Sequence, residues 1–271
     1  MTTNSGLFPF LGIENRPAKP RRSGLTIVSD NGNSLRQSED LLEVTAEIVD
    51  GAKITDHAGI IFRYSEGWLQ SKLDLYKRHD VFTFPGGIPF EIAYLKGKVQ
   101  DYFKRVRDLG FDGVEISDDT IPPLSERQRQ ELISAAREIG LGRVFTEIGR
   151  KFPGEPLDPL AASRMIRLDL QDGAEIVSVE ESDVLLLKER NPSAILDLVQ
   201  RVGKESVVFE ARSVEVQTWL IRSVAPDLNM ENIPFFTHED VIQLERMRVG
   251  LHRRVGYEAV RRLVGETQKG G

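Results

Sequence analysis

The 271-residue sequence contains no cysteine, which removes disulfides, thiolate nucleophiles and cysteine-bound zinc from consideration. No apolar run approaches the ~18 residues a membrane span needs, and the N-terminus lacks the apolar core of a signal peptide. A cytoplasmic location with no membrane partner is therefore expected. Histidine is scarce: His57, His79, His238 and His252 show neither HExxH nor any paired spacing, so a histidine-based zinc site is not expected. Only His57, after the second candidate strand, is placed for chemistry. No G-x-S-x-G is present, which argues against an esterase. Basic residues are dispersed among acidic ones at a net charge of −6, leaving no footprint for nucleic acid. The one basic cluster, Lys19, Arg21 and Arg22, reads as a solvated lead-in to the first strand, with a ligand role as the alternative.

What is present is an ordinary globular composition, 40% apolar and 29% charged, at a length close to one α/β barrel of ~250 residues. Short β-branched runs fall at 24–30, 52–56, 81–85, 113–117, 143–148, 175–180, 206–211 and 228–233. Helical patterns fall at 39–49, 66–78, 89–109, 125–139, 159–171, 192–202, 214–224 and 238–250. Ser38 and Ser125 stand as helix-start signals, and Gly110, Gly140, Gly173 and Gly203 as residues just past helix ends. Strand–helix alternation predicts parallel strands with helical crossovers. An open sheet would carry a glycine-rich phosphate turn after its first strand, but Ser29-Asp30-Asn31-Gly32 stands there. The expected fold is a single-domain (β/α)₈ TIM barrel over residues 21–255, with an N-terminal extension (1–20) and a C-terminal tail (256–271). Trp68 and Trp219 are expected to pack helices against the barrel.

Glu115, Glu147, Glu180 and Glu210 each end an apolar strand, and they are 32, 33 and 30 residues apart, one βα unit each. Closing the barrel puts four carboxylates at its C-terminal mouth, where barrel enzymes keep their chemistry. Asp30 holds the equivalent position after the first strand, and Lys53 lies within the second. Buried carboxylates are costly unless paired, hydrogen-bonded or bound to metal. A hard cation such as Mg²⁺, held by carboxylates and substrate oxygens, would meet that need; so would Lys53 and Lys151. Spacing does not choose among the ligands. Arg150 and Lys151, after Glu147, suit an anion or a proton transfer, or else form a solvated basic turn. Arg212 lies on the loop after the seventh strand, a common phosphate position in barrels.

Several stretches are similar to the phosphosulfolactate synthase family. They are Lys19-Pro20-Arg21-Arg22-Ser23-Gly24-Leu25-Thr26, Phe84-Pro85-Gly86-Gly87, Phe90-Glu91-Ile92-Ala93-Tyr94-Leu95, Glu115-Ile116-Ser117-Asp118, Glu147-Ile148-Gly149 and Asn232-Ile233-Pro234. The resemblance runs from about residue 19 to residue 251. It implies a Mg²⁺-dependent addition of sulfite to phosphoenolpyruvate, giving (2R)-phospho-3-sulfolactate for coenzyme M synthesis. It also implies small anionic substrates and a homo-oligomer. Attack at carbon 3 drives charge into the substrate carboxylate, which cations stabilise more in the transition state than in the ground state. Carbon 2 is then protonated, in the family by a lysine after the turn that here reads Glu147-Ile148-Gly149. Arginine is a poor donor because its pKa exceeds ~12, so that role falls to Lys151. The catalytic candidates are thus Lys151, Arg150, Lys53 and Glu147, with Asp30, His57, Arg212 and Asn232 around the substrate.

The chain departs from the family pattern at Asn31 (usually lysine), at Ile54-Thr55-Asp56-His57 after Lys53, at Arg150, and at Glu181-Ser182-Asp183 after Glu180. Three of these changes remove a cation or swap its type. Two alternatives stay open: a diverged enzyme that adds another nucleophile to phosphoenolpyruvate or a related phosphorylated acid, and a non-enzymatic barrel like the related plant heat-stress proteins.

Overall fold

In the strands, every second residue faces the helices. Val114 and Ile116, Val144 and Ile148, Val177 and Val179, and Val207 and Phe209 all belong to one apolar cluster packed under the helices. Glu115, Phe145, Glu147, Ser178 and Val208, which alternate with them, point to the barrel axis, the two-residue period of a strand. The computed structural model, which describes residues 7–11, 13 and 16–269, with no side chains from 266 on, arranges these strands as a nearly closed parallel barrel. In chain order the strands are β1 (Thr26–Asp30), β2 (Gly51–Ile54), β3 (Phe82–Pro85), β4 (Gly113–Ile116), β5 (Arg143–Ile148), β6 (Ile176–Val179), β7 (Val207–Glu210) and β8 (Asn229–Pro234). β1 pairs with β8, so the sheet order runs β3-β2-β1-β8-β7-β6-β5-β4. All eight expected strands are present within a few residues.

The seam lies between β3 and β4. There the backbone link is Asp112 N–H to the Thr83 carbonyl at 3.0 Å, and the Asp112 carboxylate accepts from the Thr83 amide and hydroxyl at 2.8 and 3.0 Å. Side chains close the barrel where the ladder does not.

The helices are α1 (Leu35–Thr45), α2 (Glu66–Arg78), α3 (Ile88–Leu95), α4 (Val99–Leu109), α5 (Glu126–Glu138), α6 (Pro159–Asp172), α7 (Glu181–Arg190), α8 (Ser193–Val202), α9 (Val214–Ser223), α10 (His238–Arg248) and α11 (Glu258–Lys269). Four differ from expectation: α11 forms where a C-terminal tail (256–271) is expected, and three others follow. The pattern over 89–109 is two helices, because Gly97 takes a left-handed φ of 64° and the chain turns there. α7 occupies a stretch outside the expected helices, although Glu181 and Asp183 in its first turn and Lys188 and Arg190 in its last complement the helix dipole. The cap of α1 is Ser34, whose hydroxyl accepts from the Gln37 amide at 3.1 Å, whereas Ser38 is buried inside the helix. Ser125 does cap α5, reciprocally with Gln128.

Inside the barrel, Leu25, Ile27, Phe84, Phe145, Ile176 and Val208 form an apolar plug, with the Phe84 and Phe145 rings 4.3 Å apart. Each such buried side chain contributes about 1.5–3 kcal/mol. The plug seals the lower barrel and confines polar side chains to the C-terminal end. Below it, Lys19 is not solvated: its ammonium donates to the carbonyls of Ala46, Val49 and His79 at 2.8–3.1 Å, groups left without partners at the ends of α1 and α2. Arg21 pairs with Asp50 at 2.9 Å. Trp68 and Trp219 pack against the main core, as expected.

Candidate active site

Above the plug, three strands aim a carboxylate at one lysine. The Lys53 Nζ atom lies 2.7 Å from Glu115 of β4, 3.2 Å from Glu210 of β7 and 3.6 Å from Glu231 of β8. All four side chains are buried. Burial works against the ammonium, but Glu115, Glu231 and Glu210 outweigh it and hold the Lys53 pKa well above the ordinary lysine range. One positive charge cannot balance three negative ones in a dry site, so protons are retained. Burial pushes Glu115 up to about 8 against the pull of Lys53, and burial likewise raises Glu231. Glu210 stays below the usual range, because Lys53 and Lys151 overcome its burial. Ser178 donates to Glu231, and Asn232, at a left-handed φ of 54°, donates to Glu210.

A second cluster stands beside the first. Oxygens of Asp119, Glu147 and Glu180 lie within 4.8 Å of one another, and all three residues are buried. Lys151 is 2.8 Å from Asp119 and also pairs with Glu180. Burial opposes the Lys151 charge, yet Glu147, Glu210 and Glu180 raise its pKa. Glu147 is pushed well above the carboxylate range by burial and then by Glu115 and Glu210. Glu147 Oε1 and Asp119 Oδ1 are buried without an N–H or hydroxyl donor, and the Asp119 carboxyl lies in hydrogen-bond contact with that of Glu91. Crowded carboxylate oxygens, two of them unsatisfied, are the donor set that a hard divalent cation takes. The end of β5 is held from behind: Arg129 donates to the Glu147 carbonyl at 3.0 Å and to Asp169 at 3.0 Å, and Asp169 accepts from Thr146 at 2.7 Å.

Between the clusters opens a cavity of about 250 Å³, lined among others by Asn31, Thr55, His57, Ile88, Arg212 and Asn232. Burial first, then Lys53 and Lys151, lower the His57 pKa to about 4, so the ring is neutral at pH 7. Its Nδ1 is buried without a partner. Glycines make room here. A Cβ on Gly86 would stand 2.6 Å from His57 Cε1, and one on Gly87 would collide with the Ser117 hydroxyl. Gly87→Ala is expected to cost about 1–3 kcal/mol in urea denaturation and to weaken substrate binding. An unchanged midpoint would show that the turn relaxes freely.

Of the residues singled out in the sequence, Lys53, Glu115, Glu147, Glu210, Lys151, His57, Arg212 and Asn232 line this cavity, and Glu180 adjoins it through Lys151. Two turn elsewhere. The Arg150 guanidinium donates to the Asp118 carbonyl at 2.7 Å and lines a separate hollow of about 340 Å³ behind the β5–α6 loop. Asp30 points behind β1, paired with Lys72 at 2.7 Å and accepting from Tyr76 at 2.6 Å and the Gly32 and Asn33 amides at 2.9 Å. It shapes the loop that presents Asn31. Asp119 and Glu231 are absent from the sequence motifs, while Asn31, Thr55 and Glu91 stand in them without a site role. Asp119 had a signal in Ser117-Asp118-Asp119, but only the turn separates it from Asp118, whose carboxylate accepts from the Leu124 amide at 2.7 Å. Glu231 sits in β8, the weakest strand pattern.

Known proteins share the fold and the sequence pattern. A solved aldolase, YdjI of Escherichia coli K12, shares the fold at a TM-score of 0.54 and 13% identity, over 89% of this chain and 90% of that one. A phosphosulfolactate synthase of Methanothermobacter thermautotrophicus is 33% identical over 87% of this chain and 92% of its own. One from Methanocaldococcus jannaschii is 32% identical over 84% and 92%. The sequence model of (2R)-phospho-3-sulfolactate synthase matches residues 14–253. With that match spanning the whole barrel, the chain belongs to the (2R)-phospho-3-sulfolactate synthase family.

Proposed function

We propose that the protein is an enzyme that adds sulfite to phosphoenolpyruvate, with Mg²⁺ held by Asp119, Glu147 and Glu180. The observation that carries this reading is the pairing of Lys151 with a carboxylate cluster in which one oxygen each of Asp119 and Glu147 is buried without a donor, at the wall of a cavity sized for a small phosphorylated acid. A divalent cation there would neutralise the cluster and draw electron density into the substrate carboxylate. Arg212, on the loop after β7, and Asn232, within β8, hold the substrate. Sulfur attacks carbon 3, the C–S bond forms as the carbon–carbon double bond opens, and Lys151, whose pKa would fall once a cation neutralised the acids that raise it, gives its proton to carbon 2 and regains one from solvent. Lys53 transfers no proton in this scheme; its ammonium keeps Glu115 and Glu210 in place. Among the described residues no helix is long and apolar enough to cross a membrane.

A second reading keeps phosphoenolpyruvate and replaces sulfite by a less charged nucleophile. It is favoured by the uncharged wall of Asn31, Thr55 and neutral His57. Purified protein, Mg²⁺ and phosphoenolpyruvate are expected to yield a C–S product when sulfite is added, read by phosphorus NMR. Phosphoenolpyruvate binding without sulfite turnover would transfer the assignment to the second reading. Failure to bind phosphoenolpyruvate in calorimetry would sink both.

A further inference from the structure

Glu91 stands on α3, between Phe90 and the exposed Ile92, yet it is only 2% exposed. Burying a carboxylate costs several kcal/mol unless its oxygens are used. They are used on one short turn. Glu91 accepts from the Ser117 hydroxyl at 2.8 Å and from the Thr120 hydroxyl, bracketing the four-residue turn that follows β4. Asp119 sits inside that turn, and its carbonyl accepts from the Lys151 amide at 3.3 Å. The turn also borders the seam where β3 and β4 share no ladder. Asp112 and Thr83 tie the lower end of the seam, and Glu91, reaching from the helix after β3 to the turn after β4, ties the upper end.

We infer that Glu91 is a positioning residue: it clamps the barrel seam at its catalytic end and so holds Asp119 in the cation site. This rests on the metal site proposed above. A purely packing role would be served equally well by a leucine of similar size. A clamp needs acceptor oxygens at this point, because Ser117 and Thr120 bring the hydroxyl hydrogens. The ring of consequence is short: without the clamp the turn is free to rotate, Asp119 leaves Glu147 and Glu180, and the Lys151 backbone loses its tie.

The test is Mg²⁺ titration by calorimetry on wild type, Glu91→Gln and Glu91→Ala, with urea denaturation of each. Glutamine keeps one acceptor oxygen and puts an amide N–H in place of the other, from which the second hydroxyl oxygen can accept instead, so Glu91→Gln should bind Mg²⁺ within about 3-fold of wild type. Glu91→Ala should bind roughly 10–100-fold more weakly, the size usual for a residue that orients a metal ligand. Thr120→Val cuts the clamp from an exposed residue that leaves the core intact, and should weaken binding in the same direction; it decides the matter if Glu91→Ala does not fold. Wild-type affinity in Glu91→Ala or in Thr120→Val would overturn the clamp and leave the metal site standing. A Glu91→Gln as weak as Glu91→Ala would also overturn it, since the charge rather than the hydrogen bonds would then matter. No Mg²⁺ binding by wild type would remove the metal site and the clamp together.

Discussion

Lys53→Met is expected to lower stability by about 3–5 kcal/mol at pH 8, the cost of leaving buried charges without their partner. Urea denaturation measures it. The reason is the uneven charge balance: one ammonium serves Glu115, Glu210 and Glu231, all buried. The effect should depend on pH, and its sign follows from Glu115. Its folded pKa, about 8, is above the ~4.3 of an unfolded glutamate. Between those values the folded chain holds a proton that the unfolded chain has released. A raised carboxylate therefore favours folding more as pH falls from about 8 toward 4, and the advantage is lost as pH rises through the folded pKa. Removing Lys53 raises the neighbouring carboxylates further, so the deficit of the variant should shrink between pH 8 and pH 5. A variant as stable as wild type at pH 8 would mean that the glutamates do not depend on Lys53.

Lys151→Ala should have the larger effect on turnover and the smaller one on folding. Its side chain is 31% exposed, against 5% for Lys53, so once it is removed water or a cation can reach Asp119 and Glu180. The expected loss in kcat is about 10²–10⁴-fold, the range of a general acid, with Mg²⁺ affinity unchanged or tighter. Lys151→Arg separates charge from proton donation. It should restore phosphoenolpyruvate binding in calorimetry and leave product formation near the alanine level, because a guanidinium does not release its proton. Full activity in either variant would move the acid elsewhere on the rim.

The strands were legible because parallel strands covered by helices read as near-continuous apolar runs, and each polar interruption stood out. Glu115, Glu147 and Glu210 interrupt such runs on the inward face, so their convergence followed from a two-residue period and barrel closure. Asp119 and Glu91 belong to a loop and a helix, where no period marks an inward face. The split of 89–109 into α3 and α4 turned on Gly97, a residue compatible with either outcome until its backbone angle is known. Arg150 and Lys151 are adjacent cations on one loop. The bond from Arg150 to the Asp118 carbonyl sends one away from the cavity, while Asp119 and Glu180 draw the other into it.

Local chemistry was enough to specify which segments become strands, which helices cover them, and which rim collects the acids, since burial period and helix caps are encoded by near neighbours in the chain. The partnerships at that rim belong to the folded barrel alone. Lys53 meets Glu210 across 157 residues, and Asp30 is turned from the mouth by Lys72 and Tyr76 on a neighbouring helix. A charge takes whichever opposite charge lies within a few ångströms in a dry interior, and that distance exists only after the strands have closed around it.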